Sequence, residues 1–444
     1  MSQQNTDMKV TRIQSDEDYD KVVESLCHPS DNAEYEKMLA DKVEATRNIV
    51  NGVRDGGDKA LADYTEKFDG VALSPDQFEI TPEELDAALD SLDDDLRGAI
   101  ERAHANIEKF HSKNLRESWE EREEDGTILG QRITPIERAG VYVPGGTAYY
   151  PSSVLMNIVP AKVAGVKEIV MVSPPSFEGT IHPVVLAAAR IAGATRVFRV
   201  GGAQAIAALA YGTETIPQVM KITGPGNTFV AVAKGMVQSI VSIDSEAGPS
   251  EVTVIADAAS DPARIAGEMT AQAEHDPEAS SVLLTTDVTH VDSVRDHLEA
   301  EMQILERKDI IRKSLENNGR IIVVRDIDEA VKLSNIIGPE HLCLYNENAR
   351  EILEDITAAG SIMIGQDTTV VFGDYIAGPN HILPTGRRAR FASPLTAEDF
   401  RKVSSILQFS EERMKAVSED VMLLAKTEKL TAHARAVEIR LSKK

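Results

Sequence analysis

The chain is predicted to be an α/β protein built on parallel sheets, with helices covering them, a polar N-terminal arm and a helical C-terminal tail. Three observations predict this. Short apolar runs of three to six residues alternate with amphipathic helical stretches from residue 140 onward, and that β-α rhythm belongs to parallel sheets. The rhythm occurs twice, over about 140–240 and again over about 251–364, which points to two related α/β domains. With 444 residues, the chain exceeds what one small core needs, so two main domains plus extensions are expected.

Taken in order, residues 1–30 read as the polar arm, with one short helix over 16–26. Apolar residues at i, i+3, i+4 spacing predict helices over 33–54 and 82–113. Asp31 and Thr81 are their N-caps, and Thr81 is followed by Pro82 and Glu84 in a capping-box pattern. The first α/β series has strands at 141–143, 168–173, 196–200 and 221–223. Helices follow at 152–164, 182–192, 203–211 and about 228–239. The second series has strands at 251–256, 282–286, 320–324, 341–345 and 361–364. Its helices are expected over 262–274, in two pieces over 289–317, and over 326–337 and 349–358. Residues 367–390 are Gly- and Pro-rich without a period, and a long irregular segment in a compact enzyme is usually functional. From Phe400 onward the pattern is helical, and such a tail suits packing on a partner subunit.

Composition narrows the function. A formal net charge of −25 argues against nucleic acid or an anionic membrane as partner. The acidic residues are dispersed, as in a solvated surface, and a saline habitat is one explanation. No apolar run is long enough to span a bilayer, and the first nine residues lack the apolar middle of a secretory signal, so a cytoplasmic location is expected. Cys27 and Cys343 do not form a C-x-x-C pair, which excludes a disulfide framework and a thiolate zinc site. Cys343 reads as a buried thiol.

The residues that carry chemistry fall in four clusters. Glu340 and His341, within Gly338-Pro339-Glu340-His341, set a carboxylate beside an imidazole where a strand begins. Such a pair suits a reaction with two proton transfers, although it can also simply start a strand. Gln272 and His275 are three apart at a helix end and share a face; taken alone, His275 is better explained by the helix dipole. Asp374 and His381 sit seven apart in one irregular segment, where turn chemistry is the plainer account. Glu428 and His433 lie in the tail, on what also reads as an ordinary charged helix. Together these groups offer nitrogen and oxygen donors of the kind that bind zinc, with manganese or cobalt as alternatives. Loops at Gly145-Gly146, Gly201-Gly202 and Gly224-Pro225-Gly226-Asn227 each follow a strand and precede a helix, a setting for phosphate or amide ligands. None is a G-x-G-x-x-G fingerprint, and by composition alone ordinary tight turns are the better account. A dinucleotide, if bound, finds polar contacts in Tyr142, Gln204 and Asn227. A metallohydrolase using Glu340 as base is a second reading, which the glycine loops disfavour.

These stretches resemble one family in several places and in the same order. The runs 243–251, 272–275, 201–207, 221–227, 338–342, 380–385 and 430–433 are similar to the signature segments of histidinol dehydrogenases, over residues 30–440. The resemblance implies two incomplete Rossmann-like domains: 31–138 with 251–394 carrying metal and acid/base residues, and 139–250 on the NAD side. A tail at 395–444 would reach the partner of a homodimer. It implies a zinc-dependent, four-electron oxidation of L-histidinol to L-histidine with two NAD⁺, the last step of histidine biosynthesis. Carried over residue by residue, Gln272, His275, Asp374 and His433 would bind one zinc per subunit. Glu340 and His341 would be the acid/base pair. Ser250, His381 and Glu428 would touch substrate along with His341 and the zinc ligands, Glu428 and His433 acting in trans. Tyr142, Gln204 and Asn227 would meet NAD⁺. The basic run Arg387-Arg388-Ala389-Arg390 departs from the expected pattern. It reads as a surface patch, and it keeps open an NAD-dependent dehydrogenase of another small polar alcohol, such as a sulfonated one.

Overall fold

The computed structural model describes residues 8–27, 33–145, 149–245 and 248–442. The expected cap Asp31, Gly146 of the first glycine loop and Glu246-Ala247 of the signature run lie outside them. The chain opens with β1 (Lys9–Arg12) and α1 (Asp16–Cys27), followed by α2 (Ala33–Asp69), α3 (Pro82–Asp90) and α4 (Asp94–Ser112). A hairpin, β2 (Trp119–Arg122) and β3 (Ile128–Pro135), precedes the first α/β series. That series runs β4 (Arg138–Tyr142), α5 (Pro151–Val163), β5 (Glu168–Val172), α6 (Pro183–Ala192), β6 (Arg196–Phe198), α7 (Gly202–Tyr211), β7 (Lys221–Thr223), α8 (Thr228–Val237) and β8 (Ser242–Ile243). The second runs β9 (Glu251–Ala256), α9 (Pro262–Ala273), β10 (Ser280–Thr285), α10 (His290–Glu301), α11 (Lys308–Asn318), β11 (Arg320–Val323), α12 (Ile327–Ile337), β12 (His341–Leu344), β13 (Ser361–Ile364) and α13 (Val370–Tyr375). The tail holds β14 (Arg401–Gln408), α14 (Glu411–Thr427) and α15 (Thr431–Leu441).

The α/β expectation holds. Two parallel sheets form, ordered β6-β5-β4-β7-β8 and β1-β11-β10-β9-β12-β13. Numbered within each series, both read 3-2-1-4-5, the doubly wound order, with β1 added at one edge of the larger sheet. Their strands are buried on both faces, as in Val170, Val172, Val254 and Leu342, which is why they read as continuous apolar runs rather than alternating ones. The local signals also hold. Thr81 Oγ1 accepts from Glu84 N at 3.2 Å and Glu84 Oε2 accepts from Thr81 N at 2.8 Å, closing the capping box. Asp326 likewise caps α12.

Several elements differ from the sequence reading. The first long helix does not end at Arg54; it breaks at Gly57 (φ 55°) and resumes to Asp69. Residues 349–358 form only a turn of 3₁₀ helix, Ile352–Asp355. The segment after Phe400 is the strand β14, paired antiparallel with β3 along its whole length, and the helices begin only at Glu411. The arm contributes a strand to the larger sheet besides its helix. Helices α2, α3 and α4, grouped above with the larger sheet, pack instead on helices of the smaller one: α2 on α7 and α8, α3 on α6, α4 on α5. Val53, Leu61 and Phe78 enter the same core as Val170 and Phe198. Among the described residues no helix is long and apolar enough to cross a membrane.

The switch points of the two sheets have different fates. In the smaller sheet the crevice between β4 and β7 lies at Tyr142 and Gly224, the position where doubly wound sheets take ligands. In the larger sheet the matching crevice is closed by its own side chains. Asp257 accepts from Ala259 N at 3.0 Å and from Glu347 N at 2.8 Å, and Ser260 Oγ donates to Tyr345 O at 3.1 Å. The chemistry-bearing residues of that sheet, Ser250, Glu340 and His341, lie at the opposite, amino edge of β9 and β12.

Candidate active site

The Glu340–His341 pair is placed by the end of one helix and the start of one strand. Gly338 caps α12 in the left-handed region (φ 57°), and Pro339 stops the helix before β12. Glu340 and His341 are buried. Glu340 Oε2 accepts from Glu251 N at 2.9 Å and lies 3.6 Å from His341 Nδ1. The other ring nitrogen, Nε2, lies 3.6 Å from Asp374 Oδ1. Burial raises the Glu340 pKa, and the adjoining imidazole opposes that rise. Burial works against the imidazolium of His341, but Glu340 and Asp374 outweigh it and push its pKa up to about 9. His341 Nδ1 is buried without a hydrogen bond.

Around Asp374 three imidazoles gather. Burial would raise its pKa, yet the hydrogen bond and charge of His341, with His381 and His275, hold it below the usual range. Asp374 was read as part of an irregular loop; it lies on the short helix α13, whose N-cap is Thr369. His381 Nδ1 contacts Asp374 O at 3.0 Å, and its Nε2 contacts Ser153 Oγ on α5 at 3.2 Å. Asn380 Nδ2 donates to Met156 O, also on α5, at 2.7 Å. The 374–381 segment therefore ties the larger domain to the helix that follows the Tyr142 strand. Gln272 is buried in the last turn of α9, and His275 N donates back to its carbonyl at 3.3 Å. His275 is open to water but surrounded by protein, and that crowding lowers its pKa. Ser250 is half-buried just ahead of β9 and accepts from Ser280 N.

Glu428 and His433 are not part of this gathering within one chain. Both are exposed, on a tail in which α14 packs along α15. Among the described residues, no group of three or more His, Cys, Asp and Glu side chains is close enough to hold a metal. The donor chemistry of Gln272, His275 and Asp374, nitrogen and oxygen groups, fits zinc in part, and His275 lies near enough to Asp374 for their charges to interact.

At the smaller sheet, Tyr142 ends β4 and its hydroxyl accepts from Gly202 N at 3.2 Å. Burial pushes this phenol up to about 12. Gln204 is buried in the first turn of α7. Asn227 caps α8, its Oδ1 accepting from Phe229 N at 3.0 Å and Val230 N at 3.2 Å. The Gly224 loop is held from below by a buried ion pair between Lys234 and Asp244. Asp244 accepts from Gly224 N at 2.7 Å, and Lys234 donates to Gly224 O at 3.0 Å. Gly224 has φ 114°, and a Cβ there would run into the Tyr142 carbonyl, so only glycine lets the two loops meet.

Two residues escaped sequence reading. Glu251 opens β9 with Oε1 accepting from Gly386 N at 3.0 Å and Oε2 buried without a partner. Burial, then the charge of Glu340, push it up to about 7. A carboxylate opening an otherwise apolar strand was the available signal. Ser153 offered none, because its role depends on His381. The basic run is largely engaged internally rather than forming a free patch. Arg387 donates to Leu26 O and Cys27 O, fastening the end of α1, and Arg390 packs where a Cβ on Gly338 would fall.

Fold and site together define an α/β enzyme, with the buried Glu340–His341 pair on one sheet and a second doubly wound sheet beside it. The family model described as histidinol dehydrogenase matches residues 33–441. The histidinol dehydrogenase of Neisseria gonorrhoeae is 50% identical over 411 residues, covering 92% of this chain and 94% of the relative. That of Clostridium acetobutylicum is 47% identical over 404 residues, covering 91% and 93%. The crystal structure of histidinol dehydrogenase from Elizabethkingia anophelis superposes with a TM-score of 0.90 at 33% identity, covering 98% of each chain. The chain belongs to the histidinol dehydrogenase family and is an oxidoreductase.

Proposed function

We propose that the protein oxidises L-histidinol to L-histidine through a bound aldehyde, using two NAD⁺ and one zinc ion per subunit, as the last step of histidine biosynthesis. Family membership supports the substrate. The observation that carries the chemistry is His341, set between Glu340 and Asp374 at the mouth formed with α5.

Gln272, His275 and Asp374, with His433 of a second copy, would hold the metal. Bound there, zinc would supply Lewis-acid positioning of the substrate's polar groups, and NAD⁺ would be the hydride acceptor of each half-reaction. His341, once it has shed the proton that Glu340 and Asp374 favour on it, takes the hydroxyl proton in the first oxidation. Glu340, desolvated and held by Glu251 N, deprotonates the water that attacks the aldehyde carbonyl. His341 passes its first proton to solvent and then receives another as the hydrate is oxidised. The closed crevice of the larger sheet supports one nucleotide site, at Tyr142, Gln204 and Asn227, visited twice. Ser250, His381 and Glu428 would orient the substrate, and keeping the aldehyde bound protects it from solvent.

A homodimer accounts for two exposed apolar faces. Leu423 and Leu424 on α14 are each 65% exposed, and Phe372 and Tyr375 beside Asp374 are 51% and 58% exposed. A second copy would cover both and carry Glu428 and His433 to the site. The test is NADH formed per histidinol consumed, with and without a zinc chelator. Two NADH per substrate, lost on chelation, are expected. One NADH, or turnover of another alcohol in preference, contradicts the reading.

A further inference from the structure

We propose that Asp69 is a cofactor-binding residue whose carboxylate accepts hydrogen bonds from a ribose of the dinucleotide, favouring NAD⁺ over NADP⁺. This rests on the NAD reading above and names a residue that reading does not use.

Asp69 is the last residue of α2, which ends where Gly70 turns into the left-handed region (φ 71°). A carboxylate there faces the negative end of a long helix dipole. The side chain is half-buried, and its one described hydrogen bond is a long contact from Gln204 Nε2 at 3.4 Å. Among the described residues no cation pairs with it. Burial alone accounts for its pKa being pushed up to about 6. The group is therefore disfavoured three times over: by the dipole, by desolvation and by the lack of a strong donor. A position so poorly compensated in the free protein is explained if a ligand brings the missing donors.

Its location says which ligand. Asp69 sits beside Gln204 and close enough to Tyr142 for its charge to raise the phenol's pKa further. Tyr142 ends β4 at the switch point of the smaller sheet, and Gln204 lies in the first turn of α7 next to it. Doubly wound nucleotide sheets usually carry their ribose-binding acid after the second strand. Here that position, after β5, reads Ser173-Pro174, with no acid. A carboxylate delivered by α2 supplies the missing acceptor. Ribose hydroxyls satisfy it, whereas a 2′-phosphate would meet it as a like charge.

The test is Asp69→Asn in the full-length enzyme, with KM and kcat for NAD⁺ and NADP⁺ and the Tm of the cofactor-free protein. The amide keeps the shape and removes the disfavoured charge. KM for NAD⁺ should rise about tenfold or more, with kcat little changed. The preference for NAD⁺ over NADP⁺ should fall, and Tm should hold or rise. A carboxylate that serves only the fold gives the opposite sign in Tm. Unchanged KM and unchanged cofactor preference overturn the proposal, and so does a variant that melts lower or does not fold. Wild-type enzyme that fails to reduce NAD⁺ with histidinol contradicts the NAD reading itself. Wild-type turnover with an unaffected variant contradicts only the role of Asp69.

Discussion

His341 and Asp374 face each other at 3.6 Å, Nε2 to Oδ1, across the gap between the start of one strand and a short helix thirty residues on. The opposite nitrogen of the same ring is turned to Glu340. The imidazole thus links a carboxylate suited to a metal with a carboxylate suited to water. Neither contact is a short hydrogen bond, which leaves room for the ring to exchange protons with a substrate.

Glu340→Gln should separate the two oxidations. Histidinol oxidation to the aldehyde needs the imidazole and should persist, while water addition should fall by about 100-fold or more. A rapid NADH burst with accumulated aldehyde, trapped by a carbonyl reagent, is the expected record. Equal loss of both half-reactions would show that Glu340 serves both.

Glu251→Gln should stabilise the protein at alkaline pH and leave it unchanged in acid. The folded-state pKa of Glu251, about 7, is raised above its unfolded value, so the fold is favoured by protonation. The stability that the protonated group contributes is fully present below the unfolded pKa, near 4.5, and is lost as pH rises through about 7. The variant should therefore gain up to about 3 kcal/mol at pH 8 and nothing near pH 4. Denaturant melts at the two pH values check this, and an equal effect at both would locate the strain elsewhere.

Lys234→Met should cost about 3–5 kcal/mol, because it leaves Asp244 buried without its cation. Asp244 also holds Gly224 N, so the loop facing Tyr142 should loosen. The urea midpoint should drop and KM for NAD⁺ should rise together. Removing both charges, in Lys234→Met with Asp244→Asn, should recover part of the stability without restoring the loop.

Much of the fold was legible because the sheets are parallel and buried on both faces, leaving apolar runs between helices with plain caps such as Thr81 and Asp326. The strand Arg401–Gln408 was not legible: it lies on a small exposed sheet, with Val403 and Leu407 facing water, so no burial pattern marks it. The stretch around Ile352 has helical spacing but closes only a 3₁₀ turn. The allegiance of α2 to the smaller sheet depends on contacts far apart in sequence. At the site, Glu340, His341, Asp374 and His381 lie side by side, which no local spacing states. Glu428 and His433 do not converge within one chain, and no local pattern states which copy a tail will reach.

The most direct test of a site shared between two copies is complementation. His341→Asn and His433→Ala should each be inactive alone. Mixed by co-expression, random pairing gives heterodimers with one intact site, and activity should return to about a quarter of wild type. Mixtures as inactive as their parents would contradict a site completed by the partner's tail.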